Sequence, residues 1–189
     1  MSCSQRPLVV ATFDHKPSVV LLPDGRLAAF FIRTNDDSQE IATRISTDNG
    51  YSWEEAESWL ELPKESGKWG GLLALVDRTG ELHFFLLNDA YTGVIQTGEQ
   101  RQKTILPLAE RRLDIWHIKS KDGIHSWVFP KRIWKGYTGA LNSVIQLQSN
   151  KIILPFARFI NRHWGHHTGC LYDDYTYTGQ FEVISLYSN

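Results

Sequence analysis

A chain of 189 residues with a formal net charge of −1 has the length of one domain, and it lacks both the basic face of a nucleic-acid binder and a polybasic membrane anchor. No apolar run approaches the ~20 residues of a membrane helix, and Cys3 and Cys170, the two cysteines, are too few for a disulfide framework and have no metal-ligand spacing. Seven Trp, nine Phe and seven Tyr suit β-sheets and sugar-binding surfaces alike. The start, Met1 to Arg6, lacks the apolar core of a signal peptide, which leaves a cytoplasmic protein or an extracytoplasmic one whose leader has been removed.

Taken in order, the chain reads as almost all strand. Residues 9–13 form a short first strand. Residues 18–22 and 27–33 are apolar runs joined by Pro23-Asp24-Gly25-Arg26, and Asp-Gly between two such runs is the strongest short hairpin signal. A polar loop, 34–39, leads to the alternating run 40–45 and then to Ser46-Thr47-Asp48-Asn49-Gly50-Tyr51-Ser52-Trp53. In that turn Asp48 is placed to accept backbone N–H groups, Asn49 and Gly50 supply the positive φ angles, and Trp53 folds back as an apolar plug. The same order recurs: strands 71–76 and 81–87 about a turn at 77–80, an insertion at 88–112 read as a loop with room for a small hairpin, strand 113–119, and a second turn, Ser120 to Trp127. A third hairpin is expected from strands 140–147 and 151–158 about Gln148-Ser149-Asn150, closed weakly by residues 169–174. Trp53 and Trp127 are expected to lie largely buried beneath their own turns.

Ser46-x-Asp48-x-Gly50-x-x-Trp53 matches, at every fixed position, the pattern known as the Asp box or BNR repeat. Ser120, Asp122 and Trp127 keep the same offsets, with the glycine one place early. With residues 15–27 (HKPSVVLLPDGRL) and 139–143 (GALNS), these motifs resemble the sialidase-like β-propellers, a superfamily that also holds enzymes acting on uronate- and rhamnose-containing polysaccharides. The resemblance implies an all-β fold of about three four-stranded blades, approximately 9–65, 66–135 and 136–189. It also places the boxes on the outer rim, away from substrate. Three blades cannot close a ring. The expectation is therefore the N-terminal half of a six- or seven-bladed propeller, completed by missing C-terminal blades or by self-association. Val9, Val10, Val19, Leu21, Phe30 and Ile32, with Ile153, Phe156 and Leu171, are expected to lose cover on its open sides.

In a meander blade, the start of the first strand, the end of the second and the start of the third share one face. Those positions collect His, Arg and Trp, and the turns of the opposite face hold Asp24, Arg26 and Asp77, read as solvated turn residues. The resemblance implies an exo-glycosidase acting on an acidic or deoxy sugar, inactive as this chain alone. A polysaccharide lyase of similar fold and a non-catalytic carbohydrate- or protein-binding propeller are the alternatives. The catalytic candidates are His15, Asp36, Asp89 and His166: histidine titrates near neutrality and carboxylates serve as general acids. The substrate-binding candidates are Lys16, Arg33, Trp69, Asn88, Tyr91, Asn142, Arg158 and His167, because arginine clamps a carboxylate and tryptophan stacks on a pyranose. The segment Asp14-His15-Lys16-Pro17 stands where true sialidases carry Phe/Tyr-Arg-Ile-Pro, so sialic acid specificity is not implied. His163, His166 and His167 lack an acidic partner at ligand spacing, so no metal is expected. His117 and His125 read as structural, and no cofactor is expected. The expected partner is an acidic oligosaccharide or polysaccharide, with no nucleic acid and no membrane.

Overall fold

The computed structural model describes residues 16–35, 38–64, 67–90, 92–97, 100–105, 111–120, 126–160, 164–166, 175–177 and 180–188. All regular structure among them is β, with no helix long and apolar enough to cross a membrane among the described residues. The first sheet runs β1 (Ser18–Leu21), β2 (Leu27–Asn35), β3 (Ser38–Ser46), β4 (Glu57–Glu61), each antiparallel to the next. The second is built from β5 (Lys68–Val76), β6 (Leu82–Ala90), β9 (Arg112–Lys119) and β10 (Lys131–Trp134) in that order. Between β6 and β9 the insertion folds as a hairpin of β7 (Thr92–Thr97) and β8 (Gln100–Ile105). The third sheet is β11 (Ile145–Gln146), β12 (Ile152–Ile160) and β15 (Gln180–Tyr187), with a side hairpin of β13 (Trp164–His166) and β14 (Tyr175–Tyr177).

Turn chemistry sets the three inner hairpins. Gly25 (φ 89°), Gly80 (φ 85°) and Asn150 (φ 66°) take the left-handed conformation that only glycine or asparagine adopts at low cost. The same closing bond recurs at each: the N–H groups of Leu22, Asp77 and Leu147 donate to the carbonyls of Arg26 (2.8 Å), Glu81 (2.9 Å) and Lys151 (2.8 Å). The first box behaves as its residues dictate. Ser46 Oγ donates to Asp48 Oδ1 (2.8 Å) and accepts the Gly50 N–H (2.9 Å), while Asp48 accepts Ser52 N–H (2.8 Å) and Oγ–H (2.6 Å). Those bonds, from Ser52 first, hold the Asp48 carboxyl down at about 2. Asn49 (φ 61°) and Gly50 (φ 89°) supply the turn's positive φ angles.

The sheets pack face to face, with the second between the other two. Strict alternation on β6 sends Leu82, Phe84 and Leu86 into one core with Phe30 and Ile32, and Phe85 and Leu87 into another with Leu154 and Phe156. A strand buried on both faces reads as a continuous apolar run. Phe30 and Phe84 meet edge to face at 4.8 Å, and each such buried ring contributes roughly 1.5–3 kcal/mol.

Three expectations are corrected. Residues 140–147 do not form one strand: β11 is Ile145–Gln146 alone, and Thr138 bridges Arg158 separately. Pro155, with no N–H to give, lies between those two pairings. The strand closing the third sheet is β15, which pairs with β12 from Ile153↔Tyr187 to Ile160↔Gln180; the expected closing segment 169–174 lies outside the described residues. Phe30, Ile32 and Phe156 are buried, because their strand parity turns them toward the neighbouring sheet. Val19 and Leu21 are exposed, as expected; Val9, Val10 and Leu171 lie outside the described residues. Trp53 sits beneath its own turn, where a Cβ on Gly50 would be 3.8 Å from its ring. Trp127 reaches into the space between the first two sheets, 5.3 Å from Phe84 and 6.1 Å from Trp59; residues 121–125 of its own turn lie outside the described residues. Both tryptophans keep most of their surface buried, as expected.

Candidate functional site

At the end of the sheets opposite the boxes, β5 carries a bulge. Its register with β6 passes from Gly70↔Leu87 to Leu73↔Phe85, so one residue more stands on β5 than on its partner. Gly71 (φ 57°) makes this possible, for a Cβ there would lie 2.6 Å from Leu87 Cδ1. Bulges commonly terminate or re-aim pairing beside a site. This one pushes backbone with no side chain at Gly70 and Gly71 against an open cavity of about 280 Å³, which Lys16, Gln39, Trp69 and Leu141 also line.

Gln39 ties the first sheet to the second across this cavity. Its Oε1 accepts the Trp69 N–H at 2.7 Å and its Nε2 donates to the Trp69 carbonyl at 3.1 Å. Trp69 is buried, with its indole N–H donating to Pro63 O (2.9 Å) and its ring edge-on to Trp116 at 5.4 Å. It is a wall of the cavity, not an open stacking platform. Lys16 is exposed at the cavity and has no ion pair among the described residues.

The other candidates fall into three groups. Arg33 is paired with Glu40 (2.6 Å), which also accepts from Ser58 and from Asn35 (3.1 Å); the Ser58 bond leads in holding the Glu40 carboxyl below its usual range. Arg158 is paired with Glu182 (Nε–Oε2 2.7 Å) and lies 6.0 Å over the Trp134 ring. Asn88 is buried and donates to Gly67 O (3.2 Å). Asp89 stands opposite Lys68 in the ladder, and desolvation raises its carboxyl against the pull of Arg111. Asn142 is exposed and follows Leu141, which lines the cavity. His15, Asp36, Tyr91 and His167 lie outside the described residues, and of His166 only the backbone is described, opposite Tyr175. Lys16 and Trp69 thus meet at one cavity, while Arg33 and Arg158 are each held by a glutamate. Gln39 was hidden in a polar loop with no pattern to mark it, whereas the Gly70-Gly71 pair inside a strand was a legible bulge signal.

The opposite end holds a network of titratable groups. His83 Nε2 lies 3.4 Å from Asp77 Oδ2, and its Nδ1 lies 2.9 Å from His117 Nε2. Burial lowers both histidines, His117 to about 4. Burial works to raise Asp77, but bonds from Thr79, Glu81 and His83 outweigh it and hold the carboxyl low. Asp77, Glu81 and His83 offer atoms within 4.8 Å of one another. The ammonium of Lys119 already pairs with Glu81, and Asp77 Oδ1 accepts three bonds within its own turn. Asp77 is a bonded turn anchor rather than a solvated residue.

No protein-family profile and no curated protein matches the sequence. Among solved structures, the chain is similar to a protein of unknown function from Dyadobacter fermentans DSM 18053, with a TM-score of 0.54 at 16% identity over 91% of this chain and 53% of that one. It is also similar to a PL25 ulvan lyase, described as a new family of polysaccharide lyase and bound to -[GlcA(1-4)Rha3S]-, with a TM-score of 0.51 at 11% identity over 90% of this chain and 40% of that one. The chain spans about half the length of these structures, and at such identities the likeness is one of fold: three antiparallel sheets in an all-β chain.

Proposed function

We propose that this chain is part of a sialidase-like β-propeller acting on an acidic carbohydrate at the cavity between Lys16 and the β5 bulge. The observation that carries the reading is the cavity itself. An exposed lysine without an ion pair among the described residues, a bare glycine backbone and an amide at Gln39 face one space of about 280 Å³. A cation beside exposed backbone suits a sugar carboxylate flanked by hydroxyls. Asp89, exposed near the end of β6 and outside the cavity lining, has a raised carboxyl and is the candidate proton donor in the glycosidase reading. A lyase is the second reading, favoured by the fold shared with an ulvan lyase bound to a uronate-containing repeat. In that reaction a base takes the proton beside the carboxylate, Lys16 offsets the negative charge that builds up there, and the glycosidic oxygen leaves the neighbouring carbon as the C=C bond of the unsaturated uronate forms.

Binding of an oligouronate, set against a neutral oligosaccharide of equal length, tests the site by calorimetry. The chain is expected to prefer the acidic ligand, and Lys16→Glu to weaken it by about tenfold, roughly 1.4 kcal/mol. Equal binding of both ligands, or no loss in Lys16→Glu, overturns the assignment. Ultraviolet absorbance of an unsaturated uronate product separates lyase from hydrolase.

A further inference from the structure

His83 and His117 are brought together by strand register rather than by spacing in the chain. β6 and β9 pair with His83 opposite Lys119 and Phe85 opposite His117. The two histidines are therefore diagonal neighbours on the face of the second sheet that packs against the third. Their rings are nearly parallel (13°), and His83 Nδ1 lies 2.9 Å from His117 Nε2. Both side chains line a cavity of about 260 Å³ between those sheets, with Phe85, Ile133, Ile152 and Leu154. Tyr187 and Ser188 line it too and are exposed, so the cavity is reached from solvent.

Each ring is already oriented from behind. Asp77 Oδ2 stands 3.4 Å from His83 Nε2. An ionised Asp77 draws the ring proton to Nε2 and leaves Nδ1 as a bare lone pair facing His117. The other oxygen, Oδ1, accepts from Thr79 and Glu81 in its own turn, so the carboxylate acts on the histidine and not on what the histidine holds. A carboxylate in that place fixes the tautomer of a metal-binding imidazole and strengthens it as a ligand. Phe85 lies against the His117 ring at 4.9 Å and 21°. Of the other charged groups around the pair, Glu81 is taken by Lys119, and Lys131 stands opposite His117.

We infer that His83 Nδ1 and His117 Nε2 bind one divalent transition-metal ion of the zinc class, whose remaining positions open into this cavity. In the metal-free chain His117 donates its Nε2–H to His83 Nδ1. When the ion takes that place the His117 proton moves to Nδ1, and no net proton is released. Tetrahedral bonds of about 2.0–2.1 Å set two ligand nitrogens roughly 3.3 Å apart, so the rings part only slightly from their present 2.9 Å. The cavity gives room for that shift and for water on the open positions. Imidazole nitrogens select zinc, copper or nickel over magnesium and calcium, which take oxygen. The site lies at the end of the sheets away from Lys16 and does not rest on the carbohydrate reading.

The test uses the whole chain, freed of metal with a chelator and titrated with zinc chloride, while nitrogen NMR of the histidine side chains reads each ring. His83 Nδ1 and His117 Nε2 are expected to shift together and saturate together, with the Nε2–H of His83 retained. His117→Gln removes a ligand and is expected to abolish the His83 shift at the zinc concentration that saturates the parent. Asp77→Asn removes only the support behind His83 and is expected to weaken zinc by roughly 10–100-fold. Zinc should raise the Tm of the parent by mass action and leave that of His117→Gln unchanged. If a substitution unfolds the chain, the signals of the parent decide. Zinc that shifts only His163, His166 or His167, a His83 shift that survives in folded His117→Gln, or the same shifts with magnesium chloride overturns the inference.

Discussion

Single hydrogen bonds set the sharpest expectations at the level of the residue. Ser46 is buried and accepts the Gly50 N–H while donating to Asp48. Ser46→Ala leaves the Gly50 donor without its acceptor, which costs about 1–3 kcal/mol and is read as a fall in denaturant midpoint at constant m. The buried histidines give stability a pH dependence. The pKa of His117 is lowered from 6.5 to about 4, so the unfolded chain binds the proton more readily than the folded one. Its contribution is complete above pH 6.5, falls as the pH drops through the window to about 4, and is lost below it. The slope from this one group reaches at most about 1.4 kcal/mol per pH unit; Asp77, Lys119 and Lys131 surround the pair and set its details. His117→Phe is expected to flatten that window in thermal melts, and an unchanged slope would show that the proton is bound elsewhere.

Among the elements, β5 is the one whose irregularity makes the site. Its two adjacent glycines do different work. Gly71 holds the left-handed turn of the bulge and touches Leu87, whereas a Cβ on Gly70 meets nothing within 4 Å. Gly71→Ala should destabilise by roughly 1–3 kcal/mol, from the strained φ and the displaced Leu87, and should weaken oligouronate binding by closing the cavity. Gly70→Ala should leave stability nearly unchanged. Equal effects of the two substitutions in chemical denaturation would refute the bulge as the cause of the cavity. The third sheet shows how one residue redirects an element: Pro155 lies where an inner hairpin would otherwise zip along its length, so pairing stops at Ile153 and resumes at Arg158.

For the whole molecule, the end sheets present apolar faces that no neighbouring sheet covers among the described residues. Ile184 and Leu186 turn toward the second sheet, which leaves Phe181, Val183 (83% exposed) and Tyr187 on the far face of β15. Val20 likewise packs inward, while Val19 and Leu21 (62% exposed) face out from β1. Apolar faces of this kind mark an interface or an aggregation hazard. Light scattering on the purified chain is therefore expected to show self-association that grows with concentration, and Val183→Lys to reduce it. A monodisperse monomer at high concentration would contradict this.

The sequence by itself determined the class of fold, the position of the three inner hairpin turns and the internal bonding of the first box, whereas the turn joining β2 to β3 closes inside what reads as a polar loop. All of these depend on local chemistry: period-two apolar runs, Asp-Gly and Asn-Gly pairs, and a serine and an aspartate spaced to serve one turn. What faces what was decided only by the tertiary structure. Phe30 and Ile32 looked like open-side residues until strand parity and the second sheet covered them, and Arg33 and Arg158 looked like free clamps until Glu40 and Glu182, on neighbouring strands, took them. The clamp of Gln39 on Trp69 joins residues thirty apart in the chain, and no local pattern encodes that meeting. Periodicity fixes which side chains share a face. Only the packing of one sheet on the next decides which of those faces close into core and which remain as a cavity.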